Sequence, residues 1–140
     1  MSRWFRWGVL SLMAGLIFGV SENAMAGWPT ADQLPAVRKL AQQLVTQANS
    51  LNAAIKKEWP GDKEFIERVG KFANRCQHLV NITSVAIDKD ENGRHTQSAY
   101  GEIHETWNAV KACPSMRRIE DWKQRHEIHN ILVKLEPYYR

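Results

Sequence analysis

Two histidines near the end of the chain have the spacing of a metal or haem site. His126 and His129 are three residues apart in a segment predicted to be helical, so both imidazoles project toward the same side. Paired imidazoles beside an apolar stripe are ligands for zinc, copper or haem iron. His104, on a neighbouring predicted helix, is a third candidate ligand. The competing interpretation is that His126 and His129 are boundary residues, packed on one side and hydrated on the other.

A polar loop offers oxygen ligands for a second kind of metal. Asp88, Asp90 and Asn92 stand at alternate positions and Gly93 follows them, which resembles the first half of an EF-hand calcium loop. The resemblance implies a calcium site at Asp88–Gly93. It covers six residues only, and Ala99 stands where the family has a bidentate glutamate. The alternative is a hydrated turn between two helices, rich in Asp, Asn and Gly for conformational reasons.

The first 26 residues have the order of a secretory signal peptide. Arg3 and Arg6 precede an almost wholly apolar run over residues 7–20, and small residues at 24–26 offer a cleavage site before Gly27. The run is shorter than the roughly 20 residues that a membrane-spanning helix needs. The sequence therefore predicts a leader over residues 1–26, one mature domain over residues 27–140, no transmembrane helix after cleavage, and a periplasmic or secreted protein.

The two cysteines are interpreted in the light of that export. Cys76 and Cys113 are the only cysteines in the chain, and a pair in an exported protein most often forms a disulfide. We therefore expect one structural bridge between them. The alternative, a zinc or copper thiolate site, lacks the closely spaced cysteine pairs that are typical of such sites.

The sequence gives little support to catalysis or to nucleic-acid binding. It contains no nucleophile elbow, no zinc-protease motif and no glycine-rich phosphate loop. Without Arg3, Arg6 and Glu22 of the leader, the 19 basic and 15 acidic residues become 17 and 14, a net charge of +3 with no long basic run. We expect a protein that is not an enzyme and does not bind nucleic acid.

Apolar residues recur at steps of three and four, the period of amphipathic helices. Asp62 can cap a helix over residues 62–88, and a preceding helix ends at Trp59-Pro60-Gly61. Two further helices are predicted over residues 97–112 and 116–135, separated by Cys113-Pro114. Four such helices with short connections predict an all-α fold, a single-domain antiparallel four-helix bundle.

Together these features predict a small exported binding protein. Its expected role is interaction with a protein partner in the cell envelope, or self-association, with an exposed apolar strip on the fourth helix as the supporting feature. The alternative function is a metal or haem carrier that uses His126 and His129, or calcium binding at Asp88–Gly93.

Overall fold

A computed structural model describes residues 27–140, and these fold into four α-helices joined by short turns and 3-10 segments. The helices are α1 (Leu34–Glu58), α2 (Lys63–Asp88), α3 (Gln97–Lys111) and α4 (Lys123–Leu135). No strand occurs in the part of the chain that the structure describes. The all-helical fold class is confirmed, whereas the predicted signal peptide lies outside the described residues.

The first three helices bury the apolar stripe that their periodicity predicts. The α1 stripe is fully excluded from solvent, and the Asp62 carboxylate caps α2 by accepting from the Phe65 N–H over 3.4 Å. Burial of these stripes in one shared core supplies most of the stability of helices whose intrinsic propensity alone is marginal. The fully buried stripe of α1 consists of Val37, Ala41, Leu44, Ala48, Leu51 and Ile55.

Side-chain contacts fix the directions of the neighbouring helices. Arg38 of α1 donates to Ser84 of α2 over 3.5 Å, and a Cβ on Gly70 would lie 3.7 Å from Asn52, so these two helices run antiparallel. The helices α2 and α3 are also antiparallel, because Phe72 packs on Trp107 with ring centroids 4.8 Å apart while the earlier Arg68 binds the later Ala109. The fourth helix packs against α1, while α3 and α4 diverge and leave a cleft between them.

The end of the bundle where α1 meets α2 is held by a cluster of aromatic and charged groups. The Trp59 and Trp122 rings stack with centroids 5.5 Å apart, and the Arg118 guanidinium lies 5.1 Å from the Trp59 ring. Asp62 accepts from the Ser115 hydroxyl and forms an ion pair with Arg118. This cluster fixes the segment between α3 and α4 onto the turn between α1 and α2.

The predicted fourth helix is shorter than the sequence pattern indicated. Residues Pro114–Ile119 form a 3-10 helix, the chain turns again at residues 120–122, and α4 begins at Lys123. Ser115, just before the predicted start of this helix, binds Asp62 through its hydroxyl. Tertiary contacts with the first helical hairpin therefore override the local preference for one continuous helix.

The predicted disulfide between Cys76 and Cys113 is wrong: both cysteines are free and buried. Arg68 donates to the Ala109 carbonyl over 2.7 Å, and this contact sets the register of α2 against α3. In that register Cys113 lies beside the start of α2, whereas Cys76 is near the middle of α2, roughly 18 Å away along the axis at 1.5 Å per residue. A disulfide needs α-carbons within about 7 Å.

No helix among residues 27–140 is both long enough and apolar enough to cross a membrane. This agrees with the prediction that no transmembrane helix follows the leader.

Candidate functional site

The open seam between α3 and α4 forms a cleft of about 170 Å³, here called the α3–α4 cleft. The buried side chains of Trp107 and Leu132 give it an apolar floor, and Val133 lies beside them. Trp107 is held by its contact with Phe72 in the core, whereas Val133 is 53% exposed. Polar groups surround this floor, and they are His104, Lys111, His129 and Glu136.

The side chain of His104 is held in position by Tyr100, one helical turn earlier. The His104 Nε2 and the Tyr100 hydroxyl are 2.7 Å apart, and the two rings meet edge to face at 4.7 Å. Burial lowers the pKa of His104, the nearby Glu136 carboxylate opposes that effect, and Lys111 adds to it. The ring is therefore neutral near pH 7, and its Nε2 can accept a hydrogen bond from the Tyr100 hydroxyl.

The structure brings only two of the three candidate histidines together. His104 and His129 line the α3–α4 cleft from opposite helices, but His126, although three residues from His129, is exposed and does not line it. Among residues 27–140 no group of three or more His, Cys, Asp or Glu side chains is arranged to hold a metal ion. The α3–α4 cleft is also smaller than the roughly 300 Å³ of typical cofactor sites.

The predicted calcium loop is organised by hydrogen bonds of its own. The Asn92 Oδ1 accepts from the Arg94 N–H over 3.0 Å, and the Gly93 N–H donates to the Pro29 carbonyl over 2.8 Å. Asp90 is the one residue other than glycine in the described chain with a positive φ, at 55°, a conformation that Asp tolerates. The loop thus holds the segment before α1, while calcium binding at Asp88, Asp90 and Asn92 stays a prediction.

A second, larger cleft lies where α3 passes through the Pro114–Ile119 segment into α4. We call it the basic cleft: its volume is about 490 Å³, and Lys111, Arg117 and Arg125 line it beside one carboxylate, Glu120. The sequence does not reveal this cleft, because its cationic side chains come from α3, the Pro114–Ile119 segment and α4. The one local signal was the short basic pair Arg117-Arg118, which on its own indicates only a hydrated surface.

The C-terminal residues form part of the core rather than a loose tail. Tyr139 is 1% exposed, and its ring stacks on Tyr100. Thr96 donates its hydroxyl proton to the Gly93 carbonyl over 2.6 Å, so the 2.7 Å contact between Thr96 and Tyr139 has the tyrosine hydroxyl as donor. This contact joins the C-terminal segment to the turn before α3.

The chain is thus a small helical bundle, with the α3–α4 cleft between its last two helices and the basic cleft where α3 leads into α4. Comparison with protein-family models, with curated proteins and with solved structures gave no match. Its function must therefore be argued from the two clefts themselves.

Proposed function

We propose that this protein is a non-enzymatic binding protein of the cell envelope, and that the α3–α4 cleft receives one apolar side chain of a protein partner. The observation that carries the proposal is the exposure of Val133, which is 53% accessible beside the apolar floor of the cleft. The exposed apolar strip expected on the fourth helix is reduced to this one valine, so the support comes from its position beside the buried Trp107 and Leu132 in the cleft rather than from its exposure alone.

The size of the cleft favours a side chain over a cofactor. Its 170 Å³ is close to the roughly 150 Å³ that accommodates a benzene-sized molecule in a protein interior. Apolar floors with polar rims are also typical of the anchor pockets in protein–protein interfaces, where a few buried residues carry most of the binding energy. The matching partner residue is an aromatic or large aliphatic side chain.

The polar groups around the cleft also favour a partner that has polar residues next to its apolar anchor. Lys111 and Glu136 have opposite charges and flank the same apolar floor, together with His104 and His129. A partner that places polar or charged groups on both sides of its apolar anchor would pair with this rim and gain orientation from it. A uniformly apolar surface would leave these groups desolvated and unpaired.

The decisive experiment compares two exposed valines. The protein is used to capture its partner from an envelope extract, the partner is purified, and its affinity is measured for Val133→Glu and for Val85→Glu. Val85 on α2 is 47% exposed and does not line the cleft, so it is a matched control. We expect Val133→Glu to weaken binding at least tenfold and Val85→Glu to leave it unchanged.

Three outcomes would contradict this proposal. Equal affinity of both variants would place the interface elsewhere, and the absence of any stoichiometric partner would remove the proposed role. Light scattering that shows a homodimer abolished by Val133→Glu would replace the external partner by a second copy of this chain.

The metal or haem carrier that uses His126 and His129 remains an alternative, as does calcium binding at Asp88–Gly93. Elemental analysis and absorbance spectra of protein purified from its native compartment test both. Stoichiometric zinc, copper, calcium or haem would favour this alternative over the partner-binding role.

The proposed location in the envelope depends on the leader over residues 1–26 alone, since the disulfide that export led us to expect does not form. Mass spectrometry of the protein from its host should find an amino terminus at Gly27. An intact Met1 terminus would contradict export by cleavage.

A further inference from the structure

The basic cleft gathers positive charge that the rest of the protein does not neutralise. Its lining has three cationic side chains and one carboxylate, a net charge of +2. The ion pairs of the described chain are Glu64–Arg68, Asp62–Arg118 and Glu136–Arg140, none of which involves a cation of this cleft. Lys111, Arg117 and Arg125 therefore line one concave surface and form no ion pair within the described chain.

Arg125 is the cation of this cleft with an unsatisfied buried nitrogen. Its Nε is shielded from solvent and has no hydrogen-bond acceptor. A buried donor without an acceptor costs about 1–3 kcal/mol, and more when it belongs to a charged group. Because Nε itself is shielded, an anion in the cleft would contact the terminal nitrogens of the guanidinium and offset the positive charge of this side chain.

The first turn of α4 carries positive charge, whereas the start of a helix usually favours negative charge. Its first turn has no acidic residue and contains Lys123 and Arg125, although the helix dipole favours negative charge there. Trp122 at the N-cap offers no side-chain acceptor. Lys111 in the last turn of α3 does satisfy the dipole rule, but that rule does not account for Arg117 or Arg125.

We propose that the basic cleft binds a small molecule through a phosphate or sulfate group, held by Arg117, Arg125 and Lys111. Guanidinium groups match the geometry of tetrahedral oxyanions through paired N–H donors, and a lysine adds a mobile point charge. The cleft volume of about 490 Å³ falls in the range of small-molecule sites and leaves room beyond the anion itself. The site is separate from the proposed docking of a partner in the α3–α4 cleft, although Lys111 lines both.

The test is binding of inorganic phosphate and of sulfate to the full chain by calorimetry and thermal unfolding, at an ionic strength kept constant with chloride. We expect one of the two oxyanions to bind at one site per chain and to raise Tm, whereas chloride does not. The oxyanion that binds and raises Tm, phosphate or sulfate, is the group that the ligand carries.

Two double variants of equal charge change make the test specific. Arg117→Gln with Arg125→Gln should lower the affinity at least tenfold. Lys71→Gln with Arg75→Gln, two exposed positions on α2 outside this cleft, should leave it unchanged. Arg125→Lys keeps the charge but loses the paired donors, so its affinity should be intermediate. A helical circular dichroism spectrum identical to that of the original chain shows that each variant folds.

The proposal is overturned if neither oxyanion binds, if chloride has the same effect, or if both double variants lose affinity equally. Each of these results would indicate general charge screening rather than a site.

Discussion

Tyr100 of α3 and Tyr139 of the C-terminal 3-10 segment stack face to face, with ring centroids 4.1 Å apart and planes 7° from parallel. One hydroxyl contacts His104 and the other contacts Thr96. The pair therefore joins three parts of the chain: the loop before α3, the wall of the α3–α4 cleft, and the C-terminus. Through this stack the last residues of the chain contribute to the packing of the bundle.

Replacement of Tyr139 by alanine should destabilise the fold strongly. The side chain is 1% exposed, and loss of a large buried aromatic group costs about 3–5 kcal/mol. The neighbouring Tyr138 is only partly buried, so Tyr138→Ala is the control and should cost less. Denaturant unfolding of both variants measures the difference. Equal losses would mean that the stack contributes nothing beyond general burial.

The same pair predicts a loss of stability in alkali. Burial raises the pKa of Tyr100 and of Tyr139 to about 12, above the ordinary value of 10.0. Because the folded state holds these protons more tightly than the unfolded state, the stabilisation is complete below pH 10 and is lost as the pH rises toward 12. The free energy of unfolding should fall across this window, and less steeply in Tyr139→Phe. An unchanged slope in that variant would exclude Tyr139 as a source.

The lowered pKa of His104 predicts a separate loss of stability in acid. Burial lowers its pKa below 6.5, with Lys111 in support and the Glu136 carboxylate in opposition. The unfolded chain therefore takes up the proton first, so the contribution of His104 is complete above pH 6.5 and is lost as the pH falls below 6.5 and through the lower pKa of the folded state. His104→Gln keeps an acceptor for Tyr100 and should flatten the dependence, whereas His78→Gln, at an exposed position, should not. Nuclear magnetic resonance titration should give His104 a midpoint below 6.5; a midpoint above it would contradict the prediction.

The helices were predictable because the spacing of apolar residues within each segment shows which face of the helix is buried. The stripe of α2, for example, combines correct spacing with a capping aspartate, and Phe65, Phe72 and Cys76 are fully buried as the pattern indicates. Local periodicity determines which side of a helix is apolar, and a shared core then selects that side. This part of the prediction needed no knowledge of how the helices are arranged.

The arrangement itself was not encoded locally, and the wrong predictions share that cause. The cysteine pair failed because the register of α2 against α3 is set by contacts such as Phe72 with Trp107, which spacing does not reveal. The division of the predicted fourth helix depends on the bond from Ser115 to Asp62, which is distant in the sequence. Both clefts are likewise formed by residues from different helices. Periodicity can identify their members as surface or core, but it cannot place them together.

The free cysteines make the redox state directly measurable. Two thiols per chain should react with a thiol reagent after denaturation, and Cys76 should be protected in the native protein because it is fully buried and burial raises its pKa. A reducing agent should leave Tm unchanged. A drop in Tm on reduction, or a peptide that links Cys76 to Cys113, would show a bridge that this fold does not permit.

Gly93 and Gly70 should respond oppositely to substitution by alanine. A Cβ on Gly93 would lie 2.7 Å from the Pro29 Cδ, so Gly93→Ala must displace the segment before α1 and should cost about 1–3 kcal/mol. On Gly70 the nearest atom is the Asn52 Nδ2 at 3.7 Å, an ordinary contact, so Gly70→Ala should stabilise α2 by about 0.5–1 kcal/mol. Gly61→Ala, with nothing within 4 Å, controls for the substitution itself. Denaturant unfolding of the three variants decides: if Gly93→Ala is as stable as Gly61→Ala, the close packing of Pro29 on the loop does not hold the chain before α1.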